Sequence, residues 1–154
     1  MSPHYPTEKE DEMRRMRMVV PVLAAGAWIF AAERVLAQPA NDAAAVKAAE
    51  SWLSLVDSGK YGDSWKAAAS LFREKVTAAQ WEEMVRSARG PLGSVESRKR
   101  ASAQYTRTLP GAPDGEYVLI RYETTFQNKK SSVETVTPMK DKDGVWRVSG
   151  YFIQ

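Results

Sequence analysis

"EYVLIRYETTFQNKKSSVETVTPMKDKDGVWRVSGYFI", residues 116–153, decides how the rest of the chain is read. In its first eleven residues Val118, Ile120, Tyr122, Thr124 and Phe126 recur at a period of two, the spacing of side chains along one face of a strand. "QNKK" (127–130) separates this run from the β-branched "SSVETVTPMK" (131–140), and "DKDG" (141–144) separates that from "VWRVSGYFI" (145–153). Both breaks carry turn residues. In the last run Trp146, Val148, Gly150 and Phe152 alternate with Val145, Arg147, Ser149 and Tyr151. Chain ends are ordinarily polar and frayed. Trp, Val, Tyr, Phe and Ile within the last nine residues therefore predict a paired strand crossing the hydrophobic centre. Upstream, "GSVESRKRASAQYTRTL" (93–109) places Val95, Ser97, Lys99, Ala101, Ala103 and Tyr105 on one face, and "LPGAPDG" (109–115) is a turn. The four runs predict an antiparallel meander.

Before residue 93 the apolar spacing is helical. Val46, Ala49, Leu53 and Val56, widened by Trp52, form a stripe that Asn41 or Asp42 can cap and Gly59 can stop. "YGDSWKAAASLF" (61–72) keeps Tyr61, Trp65, Ala68 and Phe72 on one side of a second helix. Thr77 with Gln80 is a capping-box pattern for a third, whose stripe is Trp81, Met84, Val85 and Ala88 and whose stop is Gly90-Pro91. The expected class is α+β, three N-terminal helices packed on a curved four-stranded antiparallel meander sheet, a cone-type fold. A single helical layer must cover the apolar face, so the sheet is expected to curl around it. Tyr117, Leu119 and Tyr151 are expected on the opposite face, as scattered surface groups or as a dimer surface.

The front end reads differently. Arg14, Arg15 and Arg17 precede the apolar run Met18–Ala32, and Val35-Leu36-Ala37 suits a signal peptidase. Glu33 and Arg34 end that run short of the ~20 residues a spanning helix needs, which favours a cleaved export signal over a retained anchor. The expected division is an N-terminal extension and signal peptide over 1–37 and a single α+β domain over 38–154, periplasmic or secreted after cleavage near Ala37-Gln38. Residues 1–12 are acidic and unlike an n-region, so Met1 and Met13 both stand as starts.

Composition excludes more than it suggests. The chain has no cysteine, so no disulfide can form, and its one histidine, His4, lies in the front segment. Beyond residue 37 there can be no Ser-His-Asp triad, no Cys-His pair and no His/Cys zinc site. Proton transfer would have to use Asp, Glu, Tyr or Lys. A formal net charge of +3 is mild and points to no particular partner. "DKDG" lacks the ligand count of a calcium loop, and "PGAPDG" lacks the lysine and the helix of a phosphate loop.

Four segments carry a resemblance: Ser64, Trp65, Ala68 and Phe72; "RGPLGSVESR" from Arg89 to Arg98; "LPGAPDGEYV" from Leu109 to Val118; and "DGVWRVSGYFI" from Asp143 to Ile153. Together they resemble the bacterial domain-of-unknown-function family numbered 4019, a name that implies no activity. The order of helices and strands is also similar to the nuclear-transport-factor-2-like (SnoaL-like) cone. That group includes ketosteroid isomerases, dehydratases, cyclases and non-catalytic binding or dimerisation modules. Architecture does not transfer function.

That resemblance implies a pocket between the sheet and the helices, where an enzyme would keep an ionisable group. Glu134 is a lone carboxylate in a β-branched strand, a candidate base or a partner of Arg98 or Arg121 in a structural ion pair. Tyr122 is a candidate oxyanion donor or a core tyrosine. Trp65, Trp81 and Arg98 are candidate pocket residues, with plain core for the tryptophans as the alternative. Arg98-Lys99-Arg100 is too short and too poor in interleaved aromatics for a nucleic-acid surface, and reads as a solvated edge. No cofactor and no metal is expected. The leading expectation is a non-catalytic binding or dimerisation module for a small apolar ligand or a protein partner, a homodimer included. The alternative is a cofactor-independent isomerase or lyase using Glu134 as base and Tyr122 as donor. Neither nucleic acid nor stable membrane insertion after cleavage is expected.

Overall fold

The computed structural model of the protein describes residues 39–154. The start site, the export signal and its cleavage point lie outside them. Among the described residues, no helix is long and apolar enough to cross a membrane.

Helix α1 runs Pro39–Asp57 and begins upstream of the expected caps, so Asp42 sits in its first turn. Val46, Ala49, Trp52, Leu53 and Val56 are all buried, as their spacing predicts. Gly59 ends the turn that follows with φ 71°, a conformation that costs glycine little. The single helix expected over 61–72 is two, α2 (Tyr61–Lys66) and α3 (Ser70–Lys75). Alanine is the best helix former, yet tertiary contacts override that preference here. Ala68 and Ala69 are fully buried, and the Ala69 N–H donates to the Val148 carbonyl (2.8 Å) rather than to a helical carbonyl. The Asp141 carboxylate accepts from the Ser70 N–H (3.2 Å) and hydroxyl (2.7 Å), so the β-hairpin turn caps α3. Helix α4, Ala78–Arg89, starts with the predicted capping box of Thr77 and Gln80. Its buried face is Trp81, Val85 and Arg89, at intervals of four. Met84 is 58 % exposed and Ala88 is exposed, so the stripe is rotated from the expected one. A short 3₁₀ turn, Gly90–Leu92, leads into the sheet.

Four antiparallel strands follow in the order of the sequence, β1 (Val95–Thr106), β2 (Tyr117–Phe126), β3 (Lys129–Lys140) and β4 (Trp146–Ile153). The α+β class and the four antiparallel strands agree with the reading of the sequence; among the described residues the helices number four, not three. Helix α1 contacts all four strands, and Val118, Ile120, Tyr122, Val136, Trp146 and Val148 join its stripe in one core.

Strict alternation fails on the two edge strands. On β1 the register skips Glu96 and Ala101, and on β4 it skips Ser149. Each skipped residue is a bulge that reverses the parity of everything beyond it. Val95, then Arg98 and Arg100, then Ala103 and Tyr105 therefore share the inner side. On β4, Trp146 and Val148 face in, and beyond the bulge Tyr151 and Ile153 share a side with Val136 and Glu134. Tyr151 thus turns inward, not outward as expected, and Phe152 turns out, 59 % exposed. Tyr117 does lie on the outer side but is buried, its hydroxyl donating to the Pro113 carbonyl (2.6 Å) of the β1–β2 loop that covers it.

Candidate functional site

Tyr122 on β2 and Glu134 on β3 stand opposite one another in register, both buried on the inner side of the sheet. Glu134 has no exposed surface, and every oxygen it offers is used. Oε2 accepts from Arg98 Nε (2.6 Å) and the Thr124 hydroxyl (2.6 Å). Oε1 accepts from Arg98 Nη2 (3.2 Å), from Arg89 Nη1 (3.5 Å) and, at short range, from the Tyr151 hydroxyl. A second carboxylate completes the set. Asp57, the last residue of α1, takes Arg98 Nη1 on Oδ2 (2.6 Å) and Arg89 Nη2 on Oδ1 (2.7 Å). Arg89 also donates to the Tyr151 oxygen (3.0 Å), and its guanidinium lies 4.8 Å from the centroid of the Phe126 ring.

The elements deliver these groups for identifiable reasons. The Glu96 bulge turns Arg98 inward, and the Ser149 bulge does the same for Tyr151. Arg89 follows Trp81 and Val85 on the buried face of α4, at the helix end where a cation suits the backbone dipole. Asp57 sits at the unfavourable end of α1 for an anion, which the two arginines offset.

Two carboxylates and two guanidiniums balance. Burial pushes the Asp57 carboxyl up, but hydrogen bonds from Arg98 and Arg89 outweigh it and hold it below the usual range. Burial likewise works against the charge on Arg98, and its bonds to Asp57 and Glu134 outweigh that, raising its pKa. Burial and then the Glu134 charge push the Tyr151 phenol up, so it remains a donor. A carboxylate held by two arginines and two hydroxyls fixes positions well and is poorly placed to accept a substrate proton.

The other candidate residues divide. Tyr122 does not bond Glu134; its hydroxyl has no partner among the described residues, and burial, then the Glu50 charge, push it up to about 12. Arg98 is joined to Glu134 and is not on a solvated edge, whereas Lys99 and Arg100 are exposed. Arg121 is exposed on the outer side, away from Glu134. Trp81 is core: it donates to the Ser64 hydroxyl (2.9 Å) and packs 5.5 Å from Trp52 and 5.2 Å from Phe72. Trp65 donates to the Val76 carbonyl (2.7 Å) and packs at the edge of the same core. With Trp52 and Tyr151 (5.3 Å apart), these rings pack into one cluster between helices and sheet.

Asp57, Arg89, Thr124 and Tyr151 are not among the site candidates of the sequence. Arg89 leaves a signal, a charged residue four positions beyond Val85 on an otherwise apolar face; Thr124 is readable as an inward residue of β2 but not as a partner of Glu134, Tyr151 is hidden by the Ser149 bulge, and Asp57 leaves no signal. Among the described residues, no group of three or more His, Cys, Asp or Glu is placed to hold a metal ion.

A family model described as "Protein of unknown function (DUF4019)" matches residues 48–151, which spans all the network residues. No curated protein and no solved structure matches.

Proposed function

We propose that this chain, which belongs to the DUF4019 family, is an exported, non-catalytic binding module of the cone type that pairs with a second copy through the outer face of its sheet. The observation that carries the non-catalytic part is the saturation of Glu134 by five hydrogen bonds. An isomerase or lyase would need that carboxylate free to take a proton, within hydrogen-bond reach of its substrate. The aromatic cluster packs between helices and sheet, and the pocket left beside Trp52 and Trp146, about 300 Å³, is at the lower end of the small-molecule range, which favours a protein partner.

The outer face supplies the surface. Leu119 on β2, Val133 and Thr135 on β3 are half-buried there, and Phe152 on β4 stands clear. Arg121 and Glu123 flank this patch two residues apart, exposed and outside the ion pairs of the described residues. A two-fold interface sets a patch against itself, so Arg121 of one copy can meet Glu123 of the other. The self-complementary charge is why a second copy is the partner chosen.

Sedimentation equilibrium of the protein isolated from its own cell envelope tests this. A reversible dimer is expected, weakened more than tenfold by Phe152→Asp, with the unfolding midpoint unchanged at concentrations low enough that both proteins are monomers. A monomer at every concentration, or a dimer indifferent to that substitution, overturns the pairing. The mass of the same sample is expected to begin at Gln38; an intact front segment overturns the export reading.

A further inference from the structure

A sheet laid out in sequence order leaves two strands with one side of the backbone unpaired, here β1 and β4. Such edges invite another strand, and folded chains block them with charge, bulges or cover. The β1 edge is blocked twice over: it is bulged at Glu96 and Ala101, and Lys99 and Arg100 stand exposed along it. The first half of the β4 edge is covered, because the Ala69 N–H ahead of α3 takes the outward Val148 carbonyl (2.8 Å). Beyond the Ser149 bulge no such cover is present among the described residues. Gly150, Tyr151, Phe152 and Ile153 bring neither charge nor proline to that stretch.

The ladder itself tells which backbone groups are free. Val133 and Gln154 exchange both of their hydrogen bonds, at 3.0 and 2.9 Å. In an antiparallel pair such bonded positions alternate with unbonded ones. Ile153 and Tyr151, opposite Glu134 and Val136, therefore turn their N–H and C=O groups away from β3. Among the described residues no turn, loop or cap bonds those groups. Unpaired backbone groups persist only where water or another chain can meet them. A donor and an acceptor recurring at every second residue, about 7 Å apart, fit an extended strand.

We propose that residues 150–153 pair antiparallel with the same residues of a second copy, joining two sheets edge to edge. A two-fold axis at Phe152 sets Tyr151 of one copy opposite Ile153 of the other. Each N–H of that pair donates to the carbonyl facing it, so no outward donor or acceptor of either residue is left over. Phe152 then meets its own counterpart at an unbonded position, where side chains come closest and aromatic pairs pack well. An uncharged strand of aromatic and aliphatic residues is the complement this edge accepts, and the chain carries one at the edge itself. That self-match is why a second copy is the occupant. The contact is small, hence weak and reversible. It goes beyond the outer-face pairing, because it is made by backbone and joins sheets side by side rather than face to face.

The test is amide hydrogen exchange of the whole chain, read residue by residue by NMR at low and at high protein concentration. The Tyr151 and Ile153 amides are expected to exchange freely when dilute and to slow by about threefold or more when concentrated, in step with the fraction paired. Phe152 serves both contacts, so the discriminating substitution is Ile153→Pro. The N–H it removes points away from β3, the place where an edge strand tolerates proline, and its ring fills the space of the hydrogen bond between copies. The variant is expected to keep its circular dichroism spectrum and to show Tyr151 exchange that no longer depends on concentration. Wild-type rates for Tyr151 and Ile153 that are equal at both concentrations overturn the proposal, whatever the variant does. Tyr151 protection that survives in Ile153→Pro overturns it as well, because the cover then comes from the outer face and not from the edge.

Discussion

Glu134 and Tyr122 face each other across one rung of the sheet, equally buried, and their surroundings are opposite. Glu134 is met by groups from four elements: Arg89 of α4, Arg98 of β1, Thr124 of β2 and Tyr151 of β4. Tyr122 is near Glu50 and Arg100 but bonded to neither. Register fixes where a side chain stands, and it does not fix what reaches that side chain. The partners come from other strands and helices. The Glu134 end is therefore a joint that closes only when the whole fold is assembled, and the Tyr122 end is left with unspent polar capacity.

The sharpest way to break the comparison is to remove the carboxylate. Glu134→Ala leaves two guanidiniums sharing Asp57 alone in a buried setting. Removing one partner of a buried charge cluster costs about 3–5 kcal/mol, because the remaining charge is uncompensated. Urea unfolding is expected to show that loss with an unchanged denaturant slope. A cost below about 1 kcal/mol would mean that the arginines find water instead, and the two ends would no longer differ in kind.

How much of this was legible from residues alone follows from where the chain keeps a strict period. Strand β2 has no bulge between Tyr117 and Thr124, and its inner residues, Val118 to Phe126, were assigned without error. The α1 stripe was equally clear. Strand β4 was found as a strand but with its faces reversed beyond Ser149, which hid Tyr151 and placed Phe152 inside. One extra residue does this, and nothing in "RVSGYFI" beyond a glycine hints at it. The pairing of Glu134 with Arg98 was one of the two options read from the residues, the other being Arg121, although β1 also carries Arg100 and β4 carries Arg147. The break at Ala67–Ala69 could not, because local preference argues for a continuous helix and the cause, Asp141, lies some seventy residues away.

Asp57 offers a smaller test of the same network. Its folded pKa lies below the ordinary 3.8, so the unfolded chain binds its proton first as the pH falls. The stability it contributes is fully present above that ordinary value and is lost as the pH drops through the folded one. Asp57→Asn is expected to cost about 1–2 kcal/mol at neutral pH, the lower part of the range for charged hydrogen bonds, since the side chain is partly exposed. It should also flatten the acid limb of the stability curve. Asp143, held down to about 2 by Arg147, adds its own acid sensitivity and is unchanged by the substitution, so the difference between the two proteins isolates Asp57. An acid limb of unchanged slope would mean that Asp57 is not held by the arginines in solution.

The smallest effect belongs to the other end. At neutral pH Tyr122→Phe removes a buried hydroxyl that bonds nothing, so stability should move by less than about 1 kcal/mol, and upward if at all. The same change in a bonded residue lowers stability: Tyr151→Phe takes a donor from Glu134 and an acceptor from Arg89. Alkali separates the residue from its neighbours. The Tyr122 phenol is pushed up from 10.0 to about 12, so the unfolded chain releases its proton first as the pH rises. Its contribution is whole below pH 10 and disappears on the way to pH 12. Tyr151 loses stability in the same direction, so the comparison must be wild type against Tyr122→Phe across the alkaline range, with phenolate absorbance followed alongside unfolding. The variant should lose less than the wild type. If Tyr122→Phe instead weakens the fold at neutral pH, the hydroxyl has a partner after all, and the two sides of the rung are alike in being satisfied.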